Sequence, residues 1–154
     1  MTTAVYLASA SPRRKELLSQ LGVEFTQFSV DADESPLPNE QPRALVERLA
    51  RLNDFTHTLK RLSGNTHQVL TAVAFATQSD VLSCVVSTDV TFKTLTDEEI
   101  NAYWESGEPQ DKAGGYGIQG LGGRFVTHIA GSYFSVVGLP LYETEQLLKT
   151  FLRR

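Results

Sequence analysis

Two hydroxyls and two guanidiniums lie close together near the start of the chain, in the sequence LASASPRR of residues 7–14. Ser9 and Ser11 supply the hydroxyls, and Arg13 and Arg14 supply the guanidiniums. A guanidinium donates paired hydrogen bonds that match the oxygens of a phosphate. These residue types predict an anion site suited to a polyphosphate. The spacing alone leaves a second interpretation open, a capped helix with two solvated arginines.

A strand and a helix flank these four residues. Residues 4–8 form a short apolar run, which predicts a buried strand. The leucines of residues 17–21 recur at helical spacing, and Gly22 ends the pattern. Ser11 is a good N-cap and Pro12 a good first helical residue. Backbone N–H groups and the positive end of the helix dipole point out of such a turn, which favours the anion interpretation.

The composition is that of an ordinary soluble domain. The chain has 154 residues, 41% of them hydrophobic and 21% charged, which is enough for one domain with a core. The formal net charge of −4 argues against a strongly basic nucleic-acid-binding protein. An anionic ligand therefore needs a local positive patch, which Arg13, Arg14 and Lys15 supply.

The single cysteine, Cys84, lies inside an apolar run and is expected to be a small core residue. One cysteine excludes a disulfide framework within the chain, which favours a reducing compartment. The sequence shows no signal-peptide pattern and no apolar stretch long enough to span a bilayer. We therefore expect a cytoplasmic protein without a membrane partner.

An acidic cluster, DADES, occupies residues 31–35 after a predicted second strand at residues 23–30. Clustered carboxylates are hard oxygen ligands that suit Mg²⁺. A solvated loop is the simpler interpretation of the cluster taken alone.

The middle of the chain predicts a long helix and a hairpin. Apolar residues recur at steps of three and four from about Pro42 to Leu62, although Asn53 and Asp54 are poor residues for a helix interior. Two β-rich runs follow at residues 66–77 and 81–95, joined by a polar turn. Their nearly continuous apolar stretches predict strands that are covered on both faces. A capping box at residues 96–99 then opens a helix to about Ser106.

Residues 107–123 hold seven of the eleven glycines of the protein. Such a loop brings backbone close to a ligand or contains several residues with positive φ. Lys112 could contact a phosphate, and the amide of Gln119 could contact a base edge. An irregular surface loop explains the glycines equally well. The remaining pattern predicts a strand at residues 124–129 and a last helix that Pro140 opens.

Long stretches of the chain resemble the Maf family of nucleoside triphosphate pyrophosphatases, in order and over nearly the whole length. The motifs are LASASPRRKELLSQLGVEF, DADES, RLSGNTHQVLTAV, STDVTF, LTDEEINAYWESGEPQDKAGGYGIQGLGGRFV and GSYFSVVGLPLYE. The resemblance implies an elongated, inosine-triphosphatase-like α/β fold in which helices flank a mixed, curved sheet, with a cleft between two lobes. It also implies a single domain over residues 1–154 and a homodimer.

The same resemblance implies an activity and a set of site residues. Family members cleave the α–β phosphoanhydride of a nucleoside triphosphate with a divalent metal, Mg²⁺ or Mn²⁺. Glu34 matches the family's acid near the metal, and Lys112 and Gln119 match its glycine-rich loop. Arg13 and Gln119 resemble the residues found at these two positions in the branch that acts on dTTP and UTP. The sister branch has a tryptophan and a glutamate at these positions instead. The phosphate-binding turn of the family corresponds to Ser9, Ser11, Arg13 and Arg14.

One family segment has no counterpart in this chain, which is shortened between about residues 51 and 56. In the family, the helix after RLA is followed by a strand that ends in a GADT-type motif, and then by a hairpin. That aspartate resembles the family's general base, so the catalytic residue is unassigned here, and two family lysines are also missing. Removal of a central strand is expected to leave unpaired sheet edges.

Three hypotheses follow from the resemblance and the missing segment. The first is a dTTP/UTP pyrophosphatase whose partner is a nucleoside triphosphate and not a nucleic acid. The second is a catalytically inactive, nucleotide-binding relative with a regulatory role related to septum formation in cell division. The third is a deletion that folds around a rearranged sheet, in which the joined segments form one helix from Leu45 to Leu62.

Overall fold

The computed structural model describes residues 5–9, 11–28, 41–112 and 114–153, with backbone alone for residues 41–50 and Asp111. The chain divides into two compact units. The first comprises Met1–Ala32, Gln68–Asp89 and Ala130–Arg154, and the second comprises Asp33–His67 and Val90–Ile129. Helices and strands occur together, which confirms the α/β class predicted from the sequence.

The first unit begins with a strand–helix–strand element. Strand β1 spans Val5–Ala8, helix α1 spans Pro12–Gln20, and strand β2 spans Phe25–Phe28. β1 and β2 pair in parallel, with Val5 opposite Phe25 and Ala8 opposite Phe28. Parallel neighbours need a crossover connection, and α1 provides it. Within the described residues 5–9 and 11–22, the predicted strand and helix are therefore confirmed.

The predicted hairpin is also confirmed. Strand β3 spans Thr66–Ala76 and strand β4 spans Val81–Phe92. The N–H of Thr77 donates to the carbonyl of Asp80 at 2.8 Å, which closes the turn between them. Strand β5, Val126–Ala130, lies on the other side of β4, so the sheet order is β3-β4-β5.

The expectation that the hairpin is covered on both faces is wrong. Burial alternates along both strands, and the outward face stays open among the described residues. Leu70 is 66% exposed, Val81 64% and Val85 68%. Because side chains alternate between the two faces of a strand, helices that pack on one face leave the other to solvent.

One continuous helix, α2, spans Gln41–Leu62 and passes through Asn53 and Asp54 without a break. This confirms the predicted long helix, which begins one residue earlier than expected. Phe55 and Leu59 are buried, whereas Asn53 and Asp54 are exposed. The two poor helix residues are tolerated because they lie on the solvent side, where they displace no core side chain.

The second unit continues with helix α3, Asp97–Glu105, whose N-cap Thr96 forms the predicted capping box with Glu99. Two 3₁₀ turns follow, at Glu108–Asp111 and Leu121–Phe125. The second turn occupies the first residues of the strand predicted at 124–129, so β5 starts at Val126. Local apolar pattern did not distinguish these two conformations.

Two helices close the chain, α4 at Tyr133–Val137 and α5 at Leu141–Leu152. The core of the first unit is formed by Leu17 and Leu18 of α1, Val73 of β3, and Leu139, with Leu7 of β1 packed against them. Within the described part of the chain, no helix has the length and apolar character needed to cross a membrane.

Candidate functional site

The turn between β1 and α1 is held by its own serines. The Ser9 hydroxyl accepts a hydrogen bond from the Ser11 N–H at 3.1 Å. The Ser11 hydroxyl accepts from the Arg14 N–H at 3.3 Å, as its predicted N-cap role requires. A hydroxyl that accepts a hydrogen bond still has its own O–H to donate. Both serines therefore shape the turn and keep a donor for an anion.

The two arginines differ in their surroundings. Arg13 is half-buried and Arg14 is exposed. The Nε of Arg14 donates to the carbonyl of Gly138, the residue that ends α4, at 3.2 Å. Gly138 has a φ of 152°, and a Cβ built there would lie 3.4 Å from the Arg14 Cγ. The structure thus fixes the Nε of the Arg14 guanidinium against the end of α4.

A cleft of about 400 Å³ opens beside this turn. Ser9 and Arg14 line it, whereas Ser11 and Arg13 are not among the lining residues. Its sides are residues 5–9 and 72–76, and side chains of α1 and α5 complete it. Of the described residues that line the cleft, none carries a carboxylate. The site can hold and orient an anion, and these lining residues supply no general base.

In the second unit, Lys112 and Gln119 come together around Gly117. A Cβ built at Gly117 would lie 3.1 Å from Lys112 Cε, 3.7 Å from Gln119 Oε1 and 3.8 Å from Glu108 Cδ. Gly117 is buried, and a Cβ there would force the Lys112 side chain to shift by a few tenths of an ångström, whereas Gln119 and Glu108 lie at ordinary contact distance. The glycine leaves room for the Lys112 side chain beside Gln119 and Glu108.

Glu108 is a residue of this loop that the sequence analysis missed. Its carboxylate accepts hydrogen bonds from the N–H groups of Leu121 at 2.9 Å and Gly122 at 3.1 Å. Partial burial raises the pKa of Glu108, but hydrogen bonds from Tyr103, Leu121 and Gly122 outweigh it and hold the pKa below its ordinary value. The only sequence signal was an acid between Gly107 and a proline, which is typical of many loops.

Two tyrosines anchor the same loop. The hydroxyl of the fully buried Tyr103 accepts from the Gly117 N–H at 2.8 Å, and burial raises the pKa of that phenol. The Tyr116 hydroxyl lies 2.6 Å from Nε2 of His67, and burial raises the pKa of Tyr116 to about 12. Burial also lowers the pKa of His67, so its ring is neutral near pH 7. The loop is therefore tied to the body of the second unit by neutral hydrogen-bonding groups.

A second cavity, of about 290 Å³, lies beside Lys112. Phe55 and Trp104 line it with ring centroids 5.1 Å apart, and Arg51 contributes a cation. Asp54 also lines the cavity and adds a carboxylate, and the aromatic walls suit stacking of a planar ring. Gln119 is not among its lining residues.

The predicted metal ligand, Glu34, lies outside the described residues together with the rest of the DADES cluster. In the part of the chain that the structure describes, no group of three or more His, Cys, Asp or Glu side chains could hold a metal ion. The Glu108 carboxylate is already committed to backbone donors. The described residues thus do not form a metal site, and Glu34 stays a prediction.

The predicted substrate-binding residues fall into two groups. Ser9, Ser11, Arg13 and Arg14 belong to the first unit, at the turn before α1. Lys112 and Gln119 belong to the second unit, beside Gly117. The roles of both groups toward a ligand stay predictions.

The family model described as Maf-like protein matches residues 4–54 and residues 52–151 of this chain. The chain belongs to the Maf-like family. The two matched segments meet at residues 52–54, in the middle of α2.

Relatives of this Maf-like chain bear the name dTTP/UTP pyrophosphatase. One from Pseudoalteromonas translucida (strain TAC 125) is 71% identical over 188 residues, which cover 99% of this chain and 100% of the relative. One from Shigella sonnei (strain Ss046) is 49% identical over 184 residues, which cover 97% of this chain and 93% of the relative. One from Pseudoalteromonas atlantica (strain T6c / ATCC BAA-1087) is 47% identical over 180 residues, which cover 92% of this chain and 94% of the relative.

The comparison with the Pseudoalteromonas translucida relative also measures a gap. It runs over 188 positions, and this Maf-like chain contributes at most its 154 residues, so at least 34 positions face no residue here. The resemblance to the dTTP/UTP branch of the family, inferred from the motifs, is confirmed by the names of these relatives.

Proposed function

We propose that this chain is a nucleoside triphosphate pyrophosphatase that acts on dTTP and UTP. In the reaction, water attacks at the α–β phosphoanhydride, the bond to the leaving oxygen breaks, and a nucleoside monophosphate and pyrophosphate result. The observation that carries the proposal is the 71% identity, over the whole relative, to a protein named dTTP/UTP pyrophosphatase. The open cleft beside the Ser9–Arg14 turn supports it.

In this proposal the chain's own residues bind and orient the triphosphate. Ser9, Ser11, Arg13 and Arg14 donate to phosphate oxygens and neutralise charge that grows on the leaving pyrophosphate. Lys112 contributes a further cation, and the amide of Gln119 contacts the base edge. Glu34 is the proposed ligand of a divalent metal, Mg²⁺ or Mn²⁺, which when bound neutralises phosphate charge.

We infer that turnover is slow. The family's general-base aspartate has no counterpart, and the described lining of the cleft offers no carboxylate in its place. Loss of a general base costs about 10²- to 10⁴-fold in rate. We therefore expect dTTP hydrolysis slower by that factor than in the full-length relatives, with affinity for the triphosphate retained.

The test measures the rate of pyrophosphate release from dTTP, UTP, CTP and dGTP, once with Mg²⁺ and once with EDTA. The Pseudoalteromonas translucida relative is assayed under the same conditions for comparison. The proposal expects Mg²⁺-dependent release that is fastest with dTTP and UTP. Calorimetry with a non-hydrolysable dTTP analogue runs in parallel. Binding of the analogue without pyrophosphate release would show that the chain binds nucleotide but is not a hydrolase. Absence of both binding and release would reject the nucleotide assignment.

Two further properties belong to the proposal. We propose a homodimer, which light scattering after size-exclusion chromatography tests. We also propose a cytoplasmic location, which the half-buried, unpaired Cys84 supports, because a free thiol persists in a reducing compartment. Fractionation of cells that express the chain tests the location.

A further inference from the structure

Gln119 lies in a short turn that backbone hydrogen bonds close. The Gly120 N–H donates to the Gly117 carbonyl at 3.2 Å, so Gln119 is the third residue of a four-residue turn. Ile118, the second residue, is buried, whereas Gln119 is exposed. The turn thus packs one side chain into the second unit and leaves the amide of Gln119 at the surface. We call residues 117–120 the glutamine turn.

Tyr103 holds the first residue of the glutamine turn. Its side chain is fully buried, and its hydroxyl accepts a hydrogen bond from the Gly117 N–H at 2.8 Å. A Cβ built at Gly122 would lie 2.7 Å from the same hydroxyl. The Tyr103 hydroxyl therefore fills space that a side chain at residue 122 would need.

Glu108 holds the residues that follow the glutamine turn. Its two carboxylate oxygens accept hydrogen bonds from the N–H groups of Leu121 at 2.9 Å and Gly122 at 3.1 Å. A Cβ built at Gly120 would overlap Oε1 of Glu108. The carboxylate reaches its backbone donors because residue 120 has no side chain.

The two holding groups are joined to each other. The Tyr103 hydroxyl donates to the Glu108 carboxylate and at the same time accepts from Gly117. Hydrogen bonds that share a group in this way polarise and strengthen one another. We call Tyr103 and Glu108 the loop clamp, since together they hold the backbone on both sides of Gln119.

A glutamine amide discriminates between pyrimidines only when its position is fixed. Thymine and uracil carry a carbonyl at C4, which accepts a hydrogen bond, whereas cytosine carries an amino group there, which donates. The amide of Gln119 offers both a carbonyl acceptor and an NH₂ donor, so a freely turning side chain would suit either base. Selection of dTTP and UTP over CTP therefore needs a support that keeps Gln119 in one place.

We propose that Tyr103 and Glu108 are positioning residues for base selection, which set the preference for dTTP and UTP over CTP by holding the turn that carries Gln119. The inference rests on the proposed function, in which Gln119 contacts the base edge. Tyr103 is fully buried and the Glu108 oxygens face backbone donors, so both residues act through Gln119 and not on the base itself. A side chain that is already positioned loses less conformational entropy when the matching base binds.

The test measures the affinities of non-hydrolysable dTTP and CTP analogues for the full chain by calorimetry, and their ratio is the selectivity. Tyr103→Phe and Glu108→Ala should each lower this ratio about 3- to 10-fold, the effect of one poorly placed hydrogen bond. Glu108→Gln keeps one acceptor oxygen and should have an intermediate ratio. A purely structural role would weaken both analogues equally and leave the ratio unchanged. If Tyr103→Phe does not fold, the two Glu108 variants decide the test.

A double-mutant cycle tests whether the loop clamp acts through Gln119. Gln119→Ala should remove most of the selectivity by itself. Adding Tyr103→Phe to that variant should change the ratio by less than about twofold, because residues that act through a shared group are not additive. A further fall by the factor seen in the wild-type background would show that Tyr103 acts independently of Gln119 and would overturn the proposal.

Two matched variants serve as controls. Tyr142→Phe removes the hydroxyl of a tyrosine that is 72% exposed, and Glu105→Ala removes an exposed carboxylate of α3. Each should keep the wild-type selectivity within about twofold, since surface substitutions remote from such contacts have small effects. A fall in either control equal to that of the clamp variants would also overturn the proposal.

The outcomes separate this inference from the proposed function. A wild type that prefers the dTTP analogue, with clamp variants that keep its ratio, overturns the positioning role alone. A wild type that binds both analogues equally rejects base selection by Gln119 together with the positioning role. A wild type that binds neither analogue rejects the nucleotide assignment and everything that rests on it. Selective binding that the clamp variants relax, without pyrophosphate release, supports the positioning role and refutes only the hydrolase.

Discussion

Arg14 shows how a single residue becomes part of an anion site. The N-cap bond from Ser11 holds its backbone, and the carbonyl of Gly138 holds its Nε at 3.2 Å. Two contacts on opposite parts of the residue restrict the guanidinium before any ligand arrives. Less conformational entropy is then lost on binding, which is the advantage of a preorganised arginine over a flexible lysine.

Arg14→Ala is expected to weaken binding of a non-hydrolysable dTTP analogue about 10- to 100-fold, since hydrogen bonds between charged groups contribute about 1.5–3 kcal/mol. Arg14→Lys should fall between the wild type and the alanine variant, because it keeps the charge and loses the paired donors. Calorimetry at fixed salt measures the affinities. Arg61→Ala, at an exposed arginine of α2 that lines neither cavity, is the matched control, and an equal loss in both alanine variants would contradict a specific role for Arg14.

Glu108 organises the glycine-rich loop through its ionised form. Its pKa lies below the ordinary value in the folded chain, so its stabilising contribution is present above the unfolded pKa and is lost as the pH falls through the folded one. Glu108→Gln is expected to lower the free energy of unfolding by about 1 kcal/mol at pH 7, because the amide replaces one of two acceptor oxygens.

Urea unfolding at pH 7 and at pH 3 measures this effect. The wild type and Glu108→Gln should differ at pH 7, and the difference should shrink at pH 3, because the carboxyl takes up a proton as the pH falls toward its lowered pKa. Glu105→Gln, at an exposed acid of α3, is the control and should change stability by less than about 0.5 kcal/mol at either pH. A difference between wild type and Glu108→Gln that persists unchanged at pH 3 would contradict the role of the charge.

Helix α2 is the element in which the two matched family segments meet. Its continuity through Asn53 and Asp54 has a local cause: both residues are exposed, and the buried residues Phe55 and Leu59 keep helical spacing across the junction. The cost of two poor helix residues is then limited to their intrinsic propensities.

Asn53→Ala is expected to stabilise the chain by about 0.5 kcal/mol, because alanine is the better residue in an exposed helix interior. Asn53→Gly should destabilise it by a few tenths of a kcal/mol relative to the wild type on the same propensity scale. Thermal unfolding followed by circular dichroism measures both variants. Equal stability of all three proteins would show that residue 53 is not helical in solution.

The β elements depend on contacts that are distant in sequence. The apolar runs of β3 and β4 predicted strands buried on both faces. In the structure, their outward residues Leu70, Val81 and Val85 are exposed. Burial on a second face needs a covering layer, which an apolar pattern cannot supply by itself.

For the whole molecule, the missing segment is the main difference from the relatives. We consider a chimera in which the Pseudoalteromonas translucida segment that faces no residue of this chain is inserted at the junction of residues 52–54. We expect the chimera to have a higher unfolding temperature and a higher rate of pyrophosphate release than the wild type. The rate should rise at least about a hundredfold, the lower range for recovery of a general base. An insertion of the same length made of glycine and serine is the control, and equal activity of the two insertions would contradict the expectation.

Local sequence determined much of this protein. Helix periodicity, Ser11 and Thr96 as N-caps, and the polar turn of the hairpin predicted their elements correctly, because each depends on residues within a few positions of one another. Motif order was enough to identify the family. Tertiary structure alone decided that Arg14 contacts Gly138, that Glu108 accepts from Leu121 and Gly122, and that two strand edges border one cleft. These contacts join residues 13 to 124 positions apart or depend on which faces are covered, and short-range patterns carry no information about either.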